Sequence, residues 1–197
     1  FIIGGATVCA AAPAIWYFLF DSTQKERFLG LIYPNRYADI MYQQEQGLKA
    51  LRNGGLTGEG LFHGTLTQQP NAIPEAENDM IFTATGEELG FVGCVLALAL
   101  LLAISLRIIS VGRHSKFGAT SLMCYGTAAM IMSQVIINVG MCLKVLPVIG
   151  ITLPFFSAGG SSNLCIYIGI GLIMSIYRFD RERDVTNVRI HPIIRSM

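Results

Sequence analysis

Residues 89–106 read LGFVGCVLALALLLAISL, a run of 18 residues without a charge. A helix that spans a bilayer needs about 20 mostly apolar residues, and no other common element uses such a run. The rest of the chain agrees. Of its 197 residues, 52% are hydrophobic and only 14% charged, with a mean hydropathy of +0.53. A soluble domain is usually about a quarter charged. The fold class expected is therefore an all-α integral membrane protein, a polytopic helical bundle.

Working outward, the run extends to a span over 80–106, and three more segments qualify. Residues 1–20, FIIGGATVCAAAPAIWYFLF, contain a kinking Pro13 and carry Trp16 and Tyr17 as an interfacial belt. Residues 118–142 and 153–177 complete the set. Residues 107–117, RIISVGRHSKF, are short and basic, and the tail over 179–197 is rich in arginine. The positive-inside rule puts both in the cytoplasm. The long loop 21–78 and the short connection 143–152 then face outward. Phe1 opens inside an apolar run with no initiator Met, so the sequence reads as a C-terminal portion of a longer protein.

Several function classes drop out. The net charge is +1 and no long basic block occurs, which argues against a nucleic-acid partner. Cys9, Cys94, Cys124, Cys142 and Cys165 are scattered in or near apolar segments, and none has zinc or disulfide spacing. They read as small buried hydrophobes. His63, His114 and His191 lie in three different regions, so no metal site is expected.

The outer loop has order of its own. LKALRNGGLTGEG begins like a short amphipathic helix, with Leu48 and Leu51 on one side, and ends in Gly54, Gly55, Gly58 and Gly60. Glycines permit left-handed turns and close backbone approach. A loop of this length in a compact protein is usually functional or disordered; its mixture of apolar and turn residues suggests a lid folded back on the membrane surface.

Immediately before the apolar run stands IPEAENDMIFTATGEELGFVG, residues 73–93, with Glu75, Glu77, Asp79, Glu87 and Glu88. Pro74 suits the first turn of a helix. A helix starting there makes Glu75 and Asp79 neighbours on one face, close to the positive end of its dipole. That is one account of the acids. In the other, Asp79 lies deepest at the membrane edge, where desolvation and the nearby Glu75 and Glu77 raise its pKa toward that of a general base. Glu87 and Glu88, further along, are expected to be structural polar groups, with a cation on another helix as partner.

A second stretch, NVGMCLKVLPVIGITLPFFSAGGSSNL, covers residues 138–164. Asn138 is polar within a span and is expected to hydrogen-bond across helices. Pro147 and Pro154 bracket a broken segment. Ser157, Gly159, Gly160 and Ser161 give hydroxyls and free N–H groups just before the last helix, a nest suited to an anion, although on its own the motif is weak and helix packing by small residues is the more ordinary account. Lys144, alone among cations in this region, either holds a diphosphate or snorkels to the interface.

GGLTGEGLFHGTLTQ, IPEAENDMIFTATGEELGFVG and NVGMCLKVLPVIGITLPFFSAGGSSNL together resemble three signatures of the SEDS family (shape, elongation, division and sporulation), the RodA/FtsW/SpoVE-type peptidoglycan polymerases. The resemblance runs in order through residues 34–178. It implies a ten-helix protein of which this chain holds about the last four spans. It also implies a lipid II polymerase at the outer face of the bacterial cytoplasmic membrane, with Asp79 at the position of the family's essential acid. Lipid II, an undecaprenyl-linked glycan strand and a class B penicillin-binding transpeptidase are the implied partners, along with membrane lipids. Stabilising the departing diphosphate calls for cations or a divalent metal, Mg or Mn. The chain departs from the family pattern at Glu77-Asn78, where His-Thr is usual, at Ala158 for Tyr, at Asn71 for an acid, and at Ile149, where division-type members often have Lys. Two further readings are a lipid II flippase, which would place charges deep in several spans, and a non-catalytic scaffold for a cell-wall synthase. The acids crowd one outer edge, which favours chemistry there.

Overall fold

The computed structural model describes residues 21–69, 72–73, 76–115 and 118–194, with side chains placed as far as residue 178 except at 35 and 40. The expected span over 1–20, and Pro74 and Glu75, lie outside the described residues. Every regular element described is helical. Two helices lie in the long loop 21–78: α1 (Ser22–Ile32) and α2 (Ala38–Gly54), joined through a 3-10 turn at Pro34–Arg36. Three longer ones follow: α3 (Ile81–His114), α4 (Gly118–Cys142) and α5 (Gly160–Ile194). By length and apolarity Ile81–His114, Gly118–Cys142 and Gly160–Arg178 can each cross a membrane, so the chain is a membrane protein.

The loop helices follow from local rules. Asp21 caps α1 by accepting from the Ser22 N–H at 2.8 Å, while Gln24 reaches back to the Asp21 N–H at 3.3 Å, a reciprocal capping box. Tyr33 precedes Pro34, which disfavours helix, and α1 ends there. The second helix starts at Ala38, ten residues ahead of the amphipathic stretch that signalled it. Its buried positions, Met41, Gln44, Gly47, Ala50 and Gly54, recur every three or four residues and form one stripe against α3. Gly54 is what permits the close contact, since a methyl there would run into the backbone of Gly86 and Glu87.

The third helix differs from expectation in three ways. It starts at Ile81, after turns over 76–80, so Asp79 precedes the helix and does not lie in its first turn. It continues through Arg107 to His114, so the basic residues expected in a connection prolong the helix. It is also broken at Gly90, whose φ of 68° is left-handed. A break in a span frees backbone groups that lipid cannot satisfy. Here the long loop satisfies them. The Glu87 and Glu88 carbonyls accept from the Glu59 and Gly60 N–H groups at 2.9 and 3.0 Å. The Phe91 and Val92 N–H groups donate to the Gly55 and Leu56 carbonyls at 2.9 and 3.2 Å.

Beyond the break, α3 packs on α4 through Cys94, Ala97, Leu101, Ser105 and Ile108, and α4 answers with Cys124, Ala128, Ile131, Val135, Asn138 and Cys142. The alternating three- and four-residue spacing is that of a knobs-into-holes seam. Helix α4 closes with Lys144 in the left-handed region (φ 58°) and the Val145 N–H returning to the Gly140 carbonyl at 2.9 Å. The last helix begins at Gly160, because residues 153–159 fold as a tight irregular segment, and it runs on to Ile194 through the region expected as a tail.

Candidate functional site

Asp79 sits just before the N-terminal end of α3 and is only 8% exposed. Three stretches distant in sequence meet around it. The Asn138 side-chain amide, fully buried in α4, donates to the Asp79 carbonyl and to the Ile151 carbonyl, both at 2.8 Å. It thus ties the acid and the 143–152 connection to one helix. The Ala158 N–H donates to the Glu77 carbonyl at 2.9 Å, which draws the Ser157–Ser161 segment to the same place. Gly150, with φ 79°, faces the carboxylate: a methyl at 150 would lie 3.8 Å from Asp79 Oδ2. Asp79 Oδ1 lies inside the protein.

The segment expected to form an anion nest is largely committed to itself. The Ser157 hydroxyl oxygen is buried and accepts from the Leu153 N–H at 2.7 Å. Asn163 accepts from the Phe155 N–H at 3.2 Å and donates to the Ser157 carbonyl at 2.8 Å. Gly159 is held close to Thr152, since a methyl at 159 would approach Thr152 Cγ2 at 2.8 Å. Gly160 and Ser161 remain exposed, at the first turn of α5.

Lys144 pairs with Glu45 of α2 at 2.9 Å. The hydrogen bond and charge of that ammonium hold the Glu45 carboxyl below its ordinary range. The pairing links the connection after α4 to the loop helix α2 and occupies the cation considered for a diphosphate.

Glu87 is buried, and its partners correct the expectation of a cation. Its Oε1 accepts from the Leu66 N–H at 2.9 Å and from the Thr65 hydroxyl at 3.2 Å. Its Oε2 accepts from the Thr67 N–H at 2.8 Å. It anchors the loop to α3 through backbone donors, which suit a carboxylate as well as a cation does. Glu88 is half-buried, with Gln68 at 3.5 Å.

Two loop residues absent from the expectations belong to this site. Gln44 is fully buried and donates to the Met141 and Leu146 carbonyls at 2.8 and 2.7 Å. Arg27 donates to the Val148 carbonyl at 2.7 Å. A glutamine in the apolar stripe of α2 was the available signal for Gln44; nothing local marks Arg27. Among the described residues, no three His, Cys, Asp or Glu side chains cluster as a metal site would require.

Comparison with known proteins adds the following. Residues 1–182 match the profile of the FtsW/RodA/SpoVE family, described as "Cell cycle protein". The chain is 35% identical over 181 residues to "Peptidoglycan glycosyltransferase MrdB" of Escherichia coli K12, covering 89% of this chain and 48% of that protein. It is 33% identical over 192 residues to "Probable peptidoglycan glycosyltransferase FtsW" of Lactococcus lactis, covering 97% of this chain and 44% of the relative. It also resembles a chain of the solved structure "Structural coordination of polymerization and crosslinking by a peptidoglycan synthase complex", with TM-score 0.68 and 27% identity, over 91% of this chain and 48% of that one. The chain spans about half the length of the relatives it matches.

Proposed function

The chain belongs to the FtsW/RodA/SpoVE family, and from that premise we propose that it carries the acid-bearing outer part of a lipid II polymerase in a bacterial plasma membrane. The observation that carries the reading is the enclosed carboxylate of Asp79 at the outer end of a span, where the two long motif stretches converge on it.

In this reading Asp79 is the general base. It takes the proton from the 4-hydroxyl of the acceptor sugar as that oxygen attacks the anomeric carbon of the growing strand. The bond to undecaprenyl diphosphate breaks, and the diphosphate leaves with the electron pair. The backbone bonds made by Asn138 and Ala158 hold the base in place, which is how fixed geometry contributes to rate. The exposed first turn of α5, at Gly160 and Ser161, offers N–H groups to an anion. The outer loop, fastened to α3 at Gly90 and Glu87, covers the sugars. A class B penicillin-binding transpeptidase is the partner that would crosslink the product.

The test uses the full-length protein in proteoliposomes, with polymerisation and lipid II translocation measured side by side. Asp79→Asn is expected to abolish polymerisation and to leave thermal unfolding unchanged. Glycan chains made by the variant at the parent rate would remove the base from Asp79. Translocation that persists without polymerisation in the parent protein would favour a flippase.

A further inference from the structure

The connection between α4 and α5 is held by its carbonyls from three sides. Gln44 of α2 takes those of Met141 and Leu146, Arg27 of α1 takes that of Val148, and Asn138 of α4 takes that of Ile151. A short segment fixed at 146, 148 and 151 is a rigid wall. Gly150 lies within it, exposed, at φ 79°. Beyond its chain neighbours, and among the described residues, the space that a side chain at 150 would occupy has one atom within 4 Å, Asp79 Oδ2 at 3.8 Å. The other carboxylate oxygen, Oδ1, is sealed inside the protein. The space left by the missing side chain at 150 therefore borders the carboxylate on its Oδ2 side.

We propose that Gly150 is a specificity-determining position, and that the gap it leaves is the approach by which a sugar hydroxyl reaches Asp79 Oδ2. The proposal rests on Asp79 being the base. The hydroxyl proton passes to Oδ2 through this gap as the hydroxyl oxygen forms its new bond. The left-handed backbone explains why a glycine folds well here, and the open space beside the carboxylate explains what its bareness serves. The two roles separate under substitution. Asparagine tolerates a left-handed backbone better than alanine does, yet it fills more of the gap. Strain alone ranks Gly150→Asn above Gly150→Ala in activity; occlusion reverses the order.

The experiment measures polymerisation by the full-length protein with Gly150→Ala, Gly150→Asn and Asp79→Asn. Gly150→Ala is expected to lower kcat/KM about 10-fold and Gly150→Asn about 100-fold or more, the scale that misplacing reactants by an ångström produces. In the parent protein a small water-soluble carbodiimide with an amine should label Asp79, read by mass spectrometry with exposed Glu45 as the reference. That measurement needs no variant to fold. Activity in Asp79→Asn removes the base itself. An inactive Asp79→Asn beside a Gly150→Asn that matches or exceeds Gly150→Ala overturns the Gly150 proposal alone, as does an Asp79 that resists the reagent in the parent.

Discussion

Replacing Glu87 by alanine removes an acceptor that two backbone N–H groups and one hydroxyl share inside the protein. Hydrogen bonds to a charged group contribute about 1.5–3 kcal/mol each, and an N–H left buried without an acceptor costs about 1–3 kcal/mol. The bonds from Leu66 and Thr67, at 2.9 and 2.8 Å, are short but only part-buried, and water can reach the freed N–H groups, so the loss is about 2–3 kcal/mol. It falls on the attachment of residues 64–68 to α3, not on the α3–α4 seam. A loss of about 3 kcal/mol raises the open population of the loop about 100-fold, since each 1.4 kcal/mol is tenfold. Hydrogen exchange read by mass spectrometry on peptides covering 60–69 measures this directly. Glu87→Gln keeps the volume and one acceptor oxygen but turns an amide toward a donor, so its exchange falls between parent and alanine. Glu88→Ala serves as control, because its Gln68 contact at 3.5 Å is at the limit of a bond. Parent-like exchange over 60–69 in Glu87→Ala, with Tm unchanged, would mean that something other than Glu87 holds the loop.

Asn138→Leu keeps the volume but withdraws the donor from the Asp79 and Ile151 carbonyls; it should destabilise by about 2–4 kcal/mol and lower polymerisation more than the Tm change explains, measured on the folded fraction. For Glu45 the folded carboxyl is below its ordinary value of 4.5, so its contribution is complete above that value and fades as pH falls through the folded one. The pair is exposed at Glu45, so the effect is below about 1 kcal/mol and shrinks with salt. Lys144→Met should flatten this part of the Tm profile between about pH 6 and about pH 3, and a profile that Lys144→Met leaves unchanged removes the pair from the account.

The spans were legible because apolar length is a property of composition, and 89–106 shows it without ambiguity. Which face of each span is buried was not, since α3 and α4 are apolar all round and only small residues such as Cys94, Ala97 and Ala128 mark the seam. Pro74 suggested a helix start, yet the chain turns until Met80, because Asn138 and Ala158 take up the Asp79 and Glu77 carbonyls that a helix would have used. Asp79 was singled out through its motif. Its surroundings were not, since the residues that fix it come from the far ends of other elements. Glu87 shows why a cation was the wrong guess: backbone N–H groups bind carboxylates and carry no sequence signature.

The break at Gly90 has a consequence for how the protein is made. A span emerging into lipid with its ladder cut would leave the carbonyls of Glu87 and Glu88 and the N–H groups of Phe91 and Val92 bare. The groups that cover them belong to residues 55–60, which leave the ribosome before α3 does. The cover is therefore synthesised ahead of the gap it fills, and a single cleavage between residues 64 and 69 would not release it. Residues 55–60 behave as a spliced-in turn of α3, supplied from upstream in the chain.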